Sequence, residues 1–243
     1  FCEAFAEPTA AQQQSWPVIA DGRNTLLLAP TGSGKTLAAF LAAIDRIMFP
    51  QNTVEPTGVR VLYVSPLKAL GVDVERNLRT PIAGVTAVAN RTGVDHRIPT
   101  IGIRTGDTTS RDRLLLNRQP PDILITTPES LYLMLTSRAR SILTNVQTLI
   151  IDEIHSMVAT KRGAHLFLSL ERLEKLRQQS GVDQPLQRIG LSATQRPLNE
   201  IARMLGGASI DSTDQETLVP RPVEIIEAGR RKPFDLKIEV PVE

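Results

Sequence analysis

A glycine-rich stretch, residues 29–36, has the composition of a loop that holds phosphate groups. It follows an apolar run and opens a helical pattern. Gly32 and Gly34 would let the backbone approach a ligand, and the helix start would add amides and a partial positive charge. In such loops the lysine pairs with the β- and γ-phosphates of ATP, and the next hydroxyl binds Mg²⁺. The alternative is a turn that only caps a helix. The predicted ATP-binding residues are Thr31, Gly32, Ser33, Gly34, Lys35 and Thr36.

Two adjacent carboxylates, Asp152 and Glu153, follow the apolar residues 148–151. Asp152 is suited to hold Mg²⁺ through water, together with Thr36. Glu153 is suited to orient and deprotonate an attacking water molecule. Such pairs end many strands, but this pair lies on its own predicted strand downstream of the glycine-rich loop. We therefore predict that Glu153, Asp152 and Lys35 are catalytic.

Three polar residues, one just after the acidic pair and two at the next strand end, are candidates for coupling rather than catalysis. His155 is expected to link the nucleotide site to Ser192 or Gln195, with an ordinary hydrogen-bonded histidine as the alternative. The hydroxyls of Ser192 and Thr194 would relay the state of the γ-phosphate to a partner domain. The other histidines, His96 and His165, have no ligand cluster in the sequence, so no zinc site is expected.

A glutamine ahead of the first strand is a candidate for adenine recognition. The Gln12 amide offers a donor and an acceptor that match N6 and N7 of adenine. The alternative is a solvated surface glutamine, and Gln13 and Gln14 leave the register open. Trp16 is expected to pack in the core or at its edge.

The elements that must position these residues alternate between strands and helices. Apolar runs without alternation predict buried parallel strands, and each is followed by a helical segment. The helices include Lys35–Met48 and residues 163–179, the latter with a leucine stripe. This order predicts a doubly wound α/β fold with a mainly parallel sheet flanked by helices, and ligands beyond the carboxyl ends of the strands. The predicted strands are residues 25–29, 59–65, 100–105, 122–127, 148–152 and 188–192.

We expect three parts along the chain. Residues 1–20 form an adenine-recognition lead-in, and residues 21–210 form the nucleotide-binding domain. Residues 211–243 form a linker with extended segments at 223–228 and 236–240. Because the chain starts with Phe1 rather than Met, a longer protein is expected.

Composition excludes several classes of protein. Hydrophobic residues make up 41% and charged residues 22%, as in ordinary globular proteins. No apolar run of about 18 residues predicts a membrane span, so no membrane partner is expected. The net charge of +2 is too small for bulk attraction to nucleic acid, so a few placed amides and hydroxyls would have to bind a strand. The single Cys2 fits the reducing cytoplasm.

With these motifs, the chain resembles the superfamily 2 DExH-box helicases and, more narrowly, the Lhr (large helicase-related) family. The likeness to the Lhr family depends on residues 64–70, 104–108, 127–131 and 161–165. The resemblance covers essentially the whole chain, as the first RecA-like domain of such a protein. It implies an ATP-driven motor that moves 3′ to 5′ on single-stranded DNA, displaces RNA or DNA strands and acts in DNA repair. The family's second RecA-like domain and arginine finger have no counterpart in these residues, so a nearly inactive, monomeric half-site is expected.

The same segments predict a surface that contacts single-stranded DNA or RNA. Ser65 and Thr127 lie at strand ends, and Pro66 and Pro128 suit the first turn of a helix. Amides at helix starts bind backbone phosphates without reading sequence, and nearby basic residues would add charge. The alternative is that these are turn and cap residues only. The predicted nucleic-acid contacts are Ser65, Pro66, Lys68, Arg104, Thr127 and Pro128.

Three functions remain open from the sequence. The first is a helicase that separates strands, and the second is a translocase or remodeller that keeps the ATPase without strand separation. The third is a nucleotide-gated binding module without turnover. Glu153 argues against the third, because a sensor has no need of a carboxylate that activates water.

Overall fold

The computed structural model describes residues 7–50, 57–193, 197–210 and 217–229, and for residues 68–70 it describes the backbone only. Seven strands form the main sheet: β1 Thr25–Leu28, β2 Val61–Val64, β3 Ile101–Arg104, β4 Ile123–Thr126, β5 Thr148–Ile151, β6 Gln187–Ser192 and β9 Glu224–Glu227. Their order in the sheet is β3-β4-β2-β5-β6-β1-β9, and the paired strands are parallel. The predicted doubly wound sheet is confirmed. A separate antiparallel pair is formed by β7 Ala208–Ile210 and β8 Leu218–Pro220.

Helices cover both faces of this sheet. In β1, Leu26 and Leu28 belong to one apolar cluster, whereas Leu27 belongs to the other. Because successive side chains of a strand point to opposite faces, burial of both faces requires an uninterrupted apolar run. The helices are α1 Ala10–Ala20, α2 Lys35–Met48, α3 Lys68–Thr92, α4 Ser110–Arg118, α5 Pro128–Leu135, α6 Lys161–Gln179 and α7 Leu198–Gly206, with 3₁₀ turns at Arg138–Leu143 and Ile154–Ser156.

Each of the two clusters has its own helices. Buried residues of α5, α6 and α7 pack on one face, and buried residues of α1, α2 and α3 pack on the other. The predicted leucine stripe of α6 is buried at Leu166, Leu170 and Leu173, and Leu176 packs against it partly buried. Trp16 packs partly buried against the second cluster, as expected. In the described part of the chain, no helix is both long and apolar enough to cross a bilayer.

The sheet extends beyond the predicted strands. The predicted extended segment 223–228 contains β9, which lies parallel to β1 with Leu26 opposite Ile225. The remaining part of the predicted linker at 236–240 lies outside the described residues. The division into three parts along the chain stays a prediction.

A buried carboxylate joins the starts of three strands, at the end of the sheet opposite the glycine-rich loop and the acidic pair. Asp122, which precedes β4, accepts hydrogen bonds from Arg60, Arg97 and Thr100 at 2.7–3.0 Å. Burial alone would raise the pKa of Asp122, but these hydrogen bonds outweigh burial and leave the pKa lowered. The carboxylate therefore stays charged and fixes the starts of β2, β3 and β4 relative to one another.

Candidate functional site

The glycine-rich loop connects the end of β1 to the start of α2 in the predicted strand–loop–helix arrangement. Gly32 and Gly34 have φ angles of 78° and 79°, which only glycine adopts without strain. A Cβ at Gly34 would lie 2.6 Å from Gln12 Nε2, so the loop and α1 also pack closely. Among the described residues, the buried Ser33 hydroxyl has no hydrogen-bond partner. The loop therefore fits the predicted phosphate site.

Lys35 and Glu153 come together from different elements. Lys35 begins α2, and its side chain is 8% exposed. Its Nζ lies 3.7 Å from Oε1 of Glu153, the second residue after the end of β5. Thr36, the predicted second Mg²⁺ ligand, is the next residue of α2 and is half-buried. The cation expected to bind phosphate and the carboxylate expected to activate water thus share one site.

The backbone at Glu153 is unusual for a residue with a side chain. Its φ and ψ are 45° and 41°, in the left-handed region. Non-glycine residues in this conformation are strained and cluster at functional sites. β5 ends at Ile151, and Glu153 in this conformation is the N-cap residue of the 3₁₀ turn Ile154–Ser156.

Both carboxylate oxygens of Asp152 have donors. Tyr63 Oη donates to Asp152 Oδ2 at 2.5 Å, and the backbone N–H of Glu153 donates to Oδ1 at 3.0 Å. Burial, and next the negative charge of Asp152, raise the pKa of Tyr63, so the phenol remains a donor. Sequence reasoning missed Tyr63. A phenol within a buried, otherwise apolar strand was the available signal, because a buried tyrosine hydroxyl usually finds a partner.

The oxygen ligands offered here fit Mg²⁺ in chemical type. The Asp152 carboxylate and the Thr36 hydroxyl are hard donors, and Mg²⁺ usually takes few protein ligands together with phosphates and water. No group of three or more His, Cys, Asp or Glu side chains that could hold a metal occurs within the described ranges. Water and the phosphates of a nucleotide are the ligands that would accompany such protein oxygens around Mg²⁺. His96 and His165 lie beside Phe49 and Tyr132, respectively.

The predicted contact between His155 and Ser192 is present. His155 Nδ1 lies 3.0 Å from Ser192 Oγ and 3.4 Å from Glu153 Oε2. Ser192 also accepts a hydrogen bond at its backbone carbonyl from Ala29, at the start of the glycine-rich loop. A continuous path therefore joins Glu153, the end of β6 and the loop. Thr194 and Gln195 lie outside the described residues, and the coupling role of this group stays a prediction.

Gln12 is buried against the loop, so the alternative of a solvated surface glutamine is wrong. Its Oε1 accepts from the backbone N–H of Thr9 at 3.0 Å, and its Nε2 donates to the Gly34 carbonyl at 3.5 Å. Thr9 and Gln12 together form the capping box of α1. Gln12 therefore fixes the lead-in helix to the loop, and its role in adenine recognition stays a prediction.

The predicted nucleic-acid residues make contacts within the fold. Ser65 Oγ donates to the Leu67 carbonyl at 3.0 Å, and Thr127 Oγ1 caps α5 at the Ser130 N–H. Pro128 occupies the first turn of α5, as predicted. The same prediction for Pro66 is wrong, because Leu67 is the N-cap residue of α3 and Pro66 lies before it. A hydroxyl-closed turn over residues 65–67 delays the helix start.

The two basic residues of this set differ in what can be described. Arg104 is buried at the end of β3 and donates to Asn117 Oδ1 at 3.2 Å. Burial, and next the charge of Arg113, lower the pKa of Arg104. The Arg104 side chain thus contacts α4 within the fold rather than extending into solvent. The side chain of Lys68 lies outside the described part of the structure.

A second residue missed by sequence reasoning is Arg162, at the start of α6. Its Nη2 donates to the Pro66 carbonyl at 2.8 Å, and its Nε and Nη2 bind the Glu129 carboxylate at 2.5 and 3.1 Å. The sequence marked residues 161–165 as part of the family likeness but gave Arg162 no role. The contacts join residues far apart in the chain, so no local pattern could reveal them.

Comparison with known proteins gives concordant results. A family model described as DEAD/DEAH box helicase matches residues 9–201. The chain is 56% identical over 243 residues to the Lhr helicase/probable uracil glycosylase of Mycolicibacterium smegmatis, covering all of this chain and 15% of that protein. It is 42% identical over 245 residues to the ATP-dependent helicase Lhr-Core of Methanothermobacter thermautotrophicus, covering all of this chain and 27% of that protein.

Solved structures show the same relationship. The structure of Mycobacterium smegmatis helicase Lhr bound to ssDNA and AMP-PNP matches with a TM-score of 0.84 at 55% identity, over all of this chain and 28% of that one. DEAD-box helicase Mss116 bound to ssRNA and UDP-BeF matches with a TM-score of 0.70 at 18% identity, over 91% of this chain and 40% of that one, which shows the fold alone. The sheet and its flanking helices are therefore those of a RecA-like domain.

Proposed function

The chain belongs to the DEAD/DEAH box helicase family, and from this premise we propose that it is the ATP-binding part of an ATP-dependent nucleic-acid helicase. The observation that carries the proposal is the 3.7 Å approach of Lys35 Nζ to Glu153 Oε1 beside the left-handed glycine loop. A phosphate-binding cation next to a water-activating carboxylate is the arrangement that phosphoryl transfer to water requires.

In the proposed reaction, each residue of the site has a separate task. The loop amides and Lys35 bind the β- and γ-phosphates, and Glu153 orients the attacking water and accepts its proton. Thr36 and Asp152 would hold Mg²⁺, which neutralises charge on the phosphates when bound. Tyr63 keeps one Asp152 oxygen oriented. Gln12 would select adenine through its amide.

The contact of His155 with Ser192 supports a coupling role. His155 contacts both the Glu153 carboxylate and Ser192 at the end of β6, so a change at Glu153 on hydrolysis would reach Ser192 through His155. We propose that Ser192, with Thr194 further along, passes the state of the γ-phosphate to a partner domain.

Nucleic acid is the proposed partner of the surface formed by the starts of α3 and α5. Leu67 and Thr127 are the N-cap residues of α3 and α5. They lie at neighbouring strand ends, since β2 pairs with β4. The relative that shares 55% identity is solved bound to ssDNA and AMP-PNP. We propose single-stranded DNA or RNA as the ligand of this surface, and movement 3′ to 5′ with displacement of a paired strand, in DNA repair, as the activity the family implies.

The activity belongs to a longer protein in this proposal. The chain spans 15% of the bacterial relative and 27% of the archaeal one. A second RecA-like domain would supply the arginine finger opposite Lys35, which is worth roughly 10³–10⁵ in turnover in related nucleotidases. The single Cys2 suits a reducing compartment, and we propose the cytoplasm.

The experiment is ATP hydrolysis by the full-length protein with and without single-stranded DNA and RNA. Hydrolysis stimulated by either strand is expected, and the preferred strand identifies the substrate. Hydrolysis that no nucleic acid stimulates would contradict the motor, and absence of hydrolysis would favour a binding module. Displacement of a labelled strand from an RNA:DNA or DNA duplex then separates a helicase from a translocase.

A further inference from the structure

Arg162 joins the turn that follows β2 to the first turn of α5, which follows β4. Its guanidinium binds the backbone carbonyl of Pro66, before α3, and both carboxylate oxygens of Glu129, in the first turn of α5. Bidentate binding by arginine fixes direction as well as distance, because its planar donors match a carboxylate. A single side chain therefore sets the position of the 65–67 turn relative to the start of α5.

The backbone that carries Arg162, at the start of α6, is fixed by its own contacts. Thr160 caps α6 by accepting from the Gly163 N–H at 2.9 Å and donates to the Met157 carbonyl at 2.7 Å. A side chain at Gly163 would collide with the Met157 backbone, so α6 starts in close contact with the preceding turn. Because this turn follows Glu153 directly, the arginine is anchored to the acidic strand end.

Stability alone is a poor explanation for this arrangement. The side chains of Arg162 and Glu129 are 40% and 57% exposed, and ion pairs at such sites contribute little to folding. Hydrogen bonding by Arg162 nevertheless lowers the pKa of Glu129, which keeps the partner charged. A defined geometry at little gain in stability suggests a role in positioning.

We propose that Arg162 is a positioning residue that holds the 65–67 turn and the start of α5 as one surface, so that a single nucleic-acid strand contacts both. The proposal rests on the proposed function, since it assigns these loops to strand binding. Arg162 acts through Pro66 and Glu129, and the strand meets the helix starts that they fix. Separate loops would bind the strand independently and more weakly.

The charge of Glu129 makes the proposal testable by sign. Removing a negative charge beside a bound polyanion should tighten binding if electrostatics alone matter. Glu129→Gln removes that charge but also breaks the bidentate pair. For Glu129→Gln, the positioning role therefore predicts weaker binding of the strand, whereas electrostatics alone predicts tighter binding.

The experiment measures binding of the full-length protein to a fluorescent single-stranded DNA oligonucleotide, by anisotropy, with a non-hydrolysable ATP analogue and over a range of salt. Arg162→Ala should weaken binding about tenfold, the effect of losing a charge-assisted hydrogen bond. The slope of log affinity against log salt should equal that of the wild type, whereas losing a direct phosphate contact would reduce it by about 1. Arg162→Lys keeps the charge but not the bidentate geometry, and should remain weakened.

Two further variants complete the test. Glu129→Gln should weaken binding like Arg162→Ala, and the double variant should bind no more weakly than either one. Arg172→Ala is the matched control, because Arg172 also lies on α6 and contacts α5, over the Tyr132 ring at 5.6 Å. It should bind like the wild type.

The outcomes separate the two levels of the argument. Wild-type affinity in Arg162→Ala, tighter binding in Glu129→Gln or a reduced salt slope in Arg162→Ala would overturn the positioning role alone. A wild-type protein that neither binds the strand nor hydrolyses ATP faster with it would overturn the proposed function and this role with it. Far-ultraviolet circular dichroism of each variant shows whether the fold is retained.

Discussion

Lys35 Nζ lies 3.7 Å from Glu153 Oε1, with side-chain exposures of 8% and 30%. In a site shielded from water, attraction between opposite charges is stronger than at an open surface. A bound γ-phosphate would compete with Glu153 for this lysine. Nucleotide binding should therefore release the carboxylate from Lys35 and leave it available to water.

Lys35→Ala should abolish nucleotide binding and turnover in the full-length protein. The substitution removes the point charge that compensates the β- and γ-phosphates. Binding of a fluorescent ATP analogue and steady-state hydrolysis provide the measurement, with circular dichroism to show that the fold persists. ATP hydrolysis at the wild-type rate would contradict the phosphate-loop assignment.

Glu153→Gln should retain ATP binding and stall hydrolysis. The amide keeps the shape of the side chain but cannot accept a proton from water, a loss of roughly 10²–10⁴-fold in rate. Single-turnover hydrolysis and nucleotide binding separate the two steps. The matched variant Asp152→Asn should show a different defect, which excess Mg²⁺ partly reverses. Weak binding with high residual turnover in Glu153→Gln would mean that Glu153 has a structural or metal-binding role.

Tyr63→Phe should lower the free energy of unfolding by about 1.5–3 kcal/mol, because it leaves a buried oxygen of charged Asp152 without its donor. Urea denaturation of the 243-residue chain provides the measurement. Tyr132→Phe is the control, since the same atom is removed from a ring that packs on His165. Its effect should stay within about 0.5 kcal/mol. Equal stabilities of the two variants would show that the hydroxyl of Tyr63 contributes nothing.

The 243-residue chain alone should fold and hydrolyse almost no ATP. Lys35 and the loop amides offer positive charge from one side of the γ-phosphate only, and a missing arginine finger reduces turnover by roughly 10³–10⁵-fold. Hydrolysis by this chain and by the full-length protein, each with single-stranded DNA, is the comparison. Similar rates would show that the chain carries a complete site.

Sequence reasoning placed the loop and the acidic pair at the correct strand ends, because the residues of each motif lie close together in the chain. The glycine loop and the acidic pair each follow an apolar run, and parallel strands bring their carboxyl ends to one edge. Tyr63 and Arg162 escaped because their partners Asp152 and Pro66 lie 89 and 96 positions away. The Pro66 error has a local cause, since the 65–67 turn closed by a serine hydroxyl competes with the helix start.

The sequence also did not predict that β9 belongs to the main sheet. Glu224–Glu227 has polar ends and lies within the predicted linker 211–243, in the part predicted to be extended at 223–228. Its pairing with β1 depends on register across the chain, which local composition does not encode. Hydrogen bonding of Glu224 N–H to the Asn24 carbonyl starts that register.

Acid should destabilise the fold through Asp122, whose pKa is lowered in the folded state by Thr100, Arg60 and Arg97 against the opposing effect of burial. A carboxylate with a lowered folded-state pKa stabilises the protein fully above its unfolded pKa, near 3.9, and loses that contribution as the pH falls toward the folded value. The contribution of Asp122 to the free energy of unfolding should therefore be constant near neutral pH and decrease below about pH 5.

Asp122→Asn tests this directly, because it keeps the size of the side chain and removes the charge between two arginines. We expect a loss of about 3 kcal/mol at pH 7, where breaking a buried pair leaves cations uncompensated, and a shallower decline of stability in acid than the wild type shows. Thermal or urea unfolding of the chain from pH 7 to pH 3 gives both quantities. The control is Asp21→Asn, which breaks the exposed pair with Arg23 and should change stability by less than about 1 kcal/mol. If Asp122→Asn declined in acid as steeply as the wild type, other carboxylates would account for the acid sensitivity, and Asp122 would hold the strand starts by hydrogen-bond geometry rather than by charge.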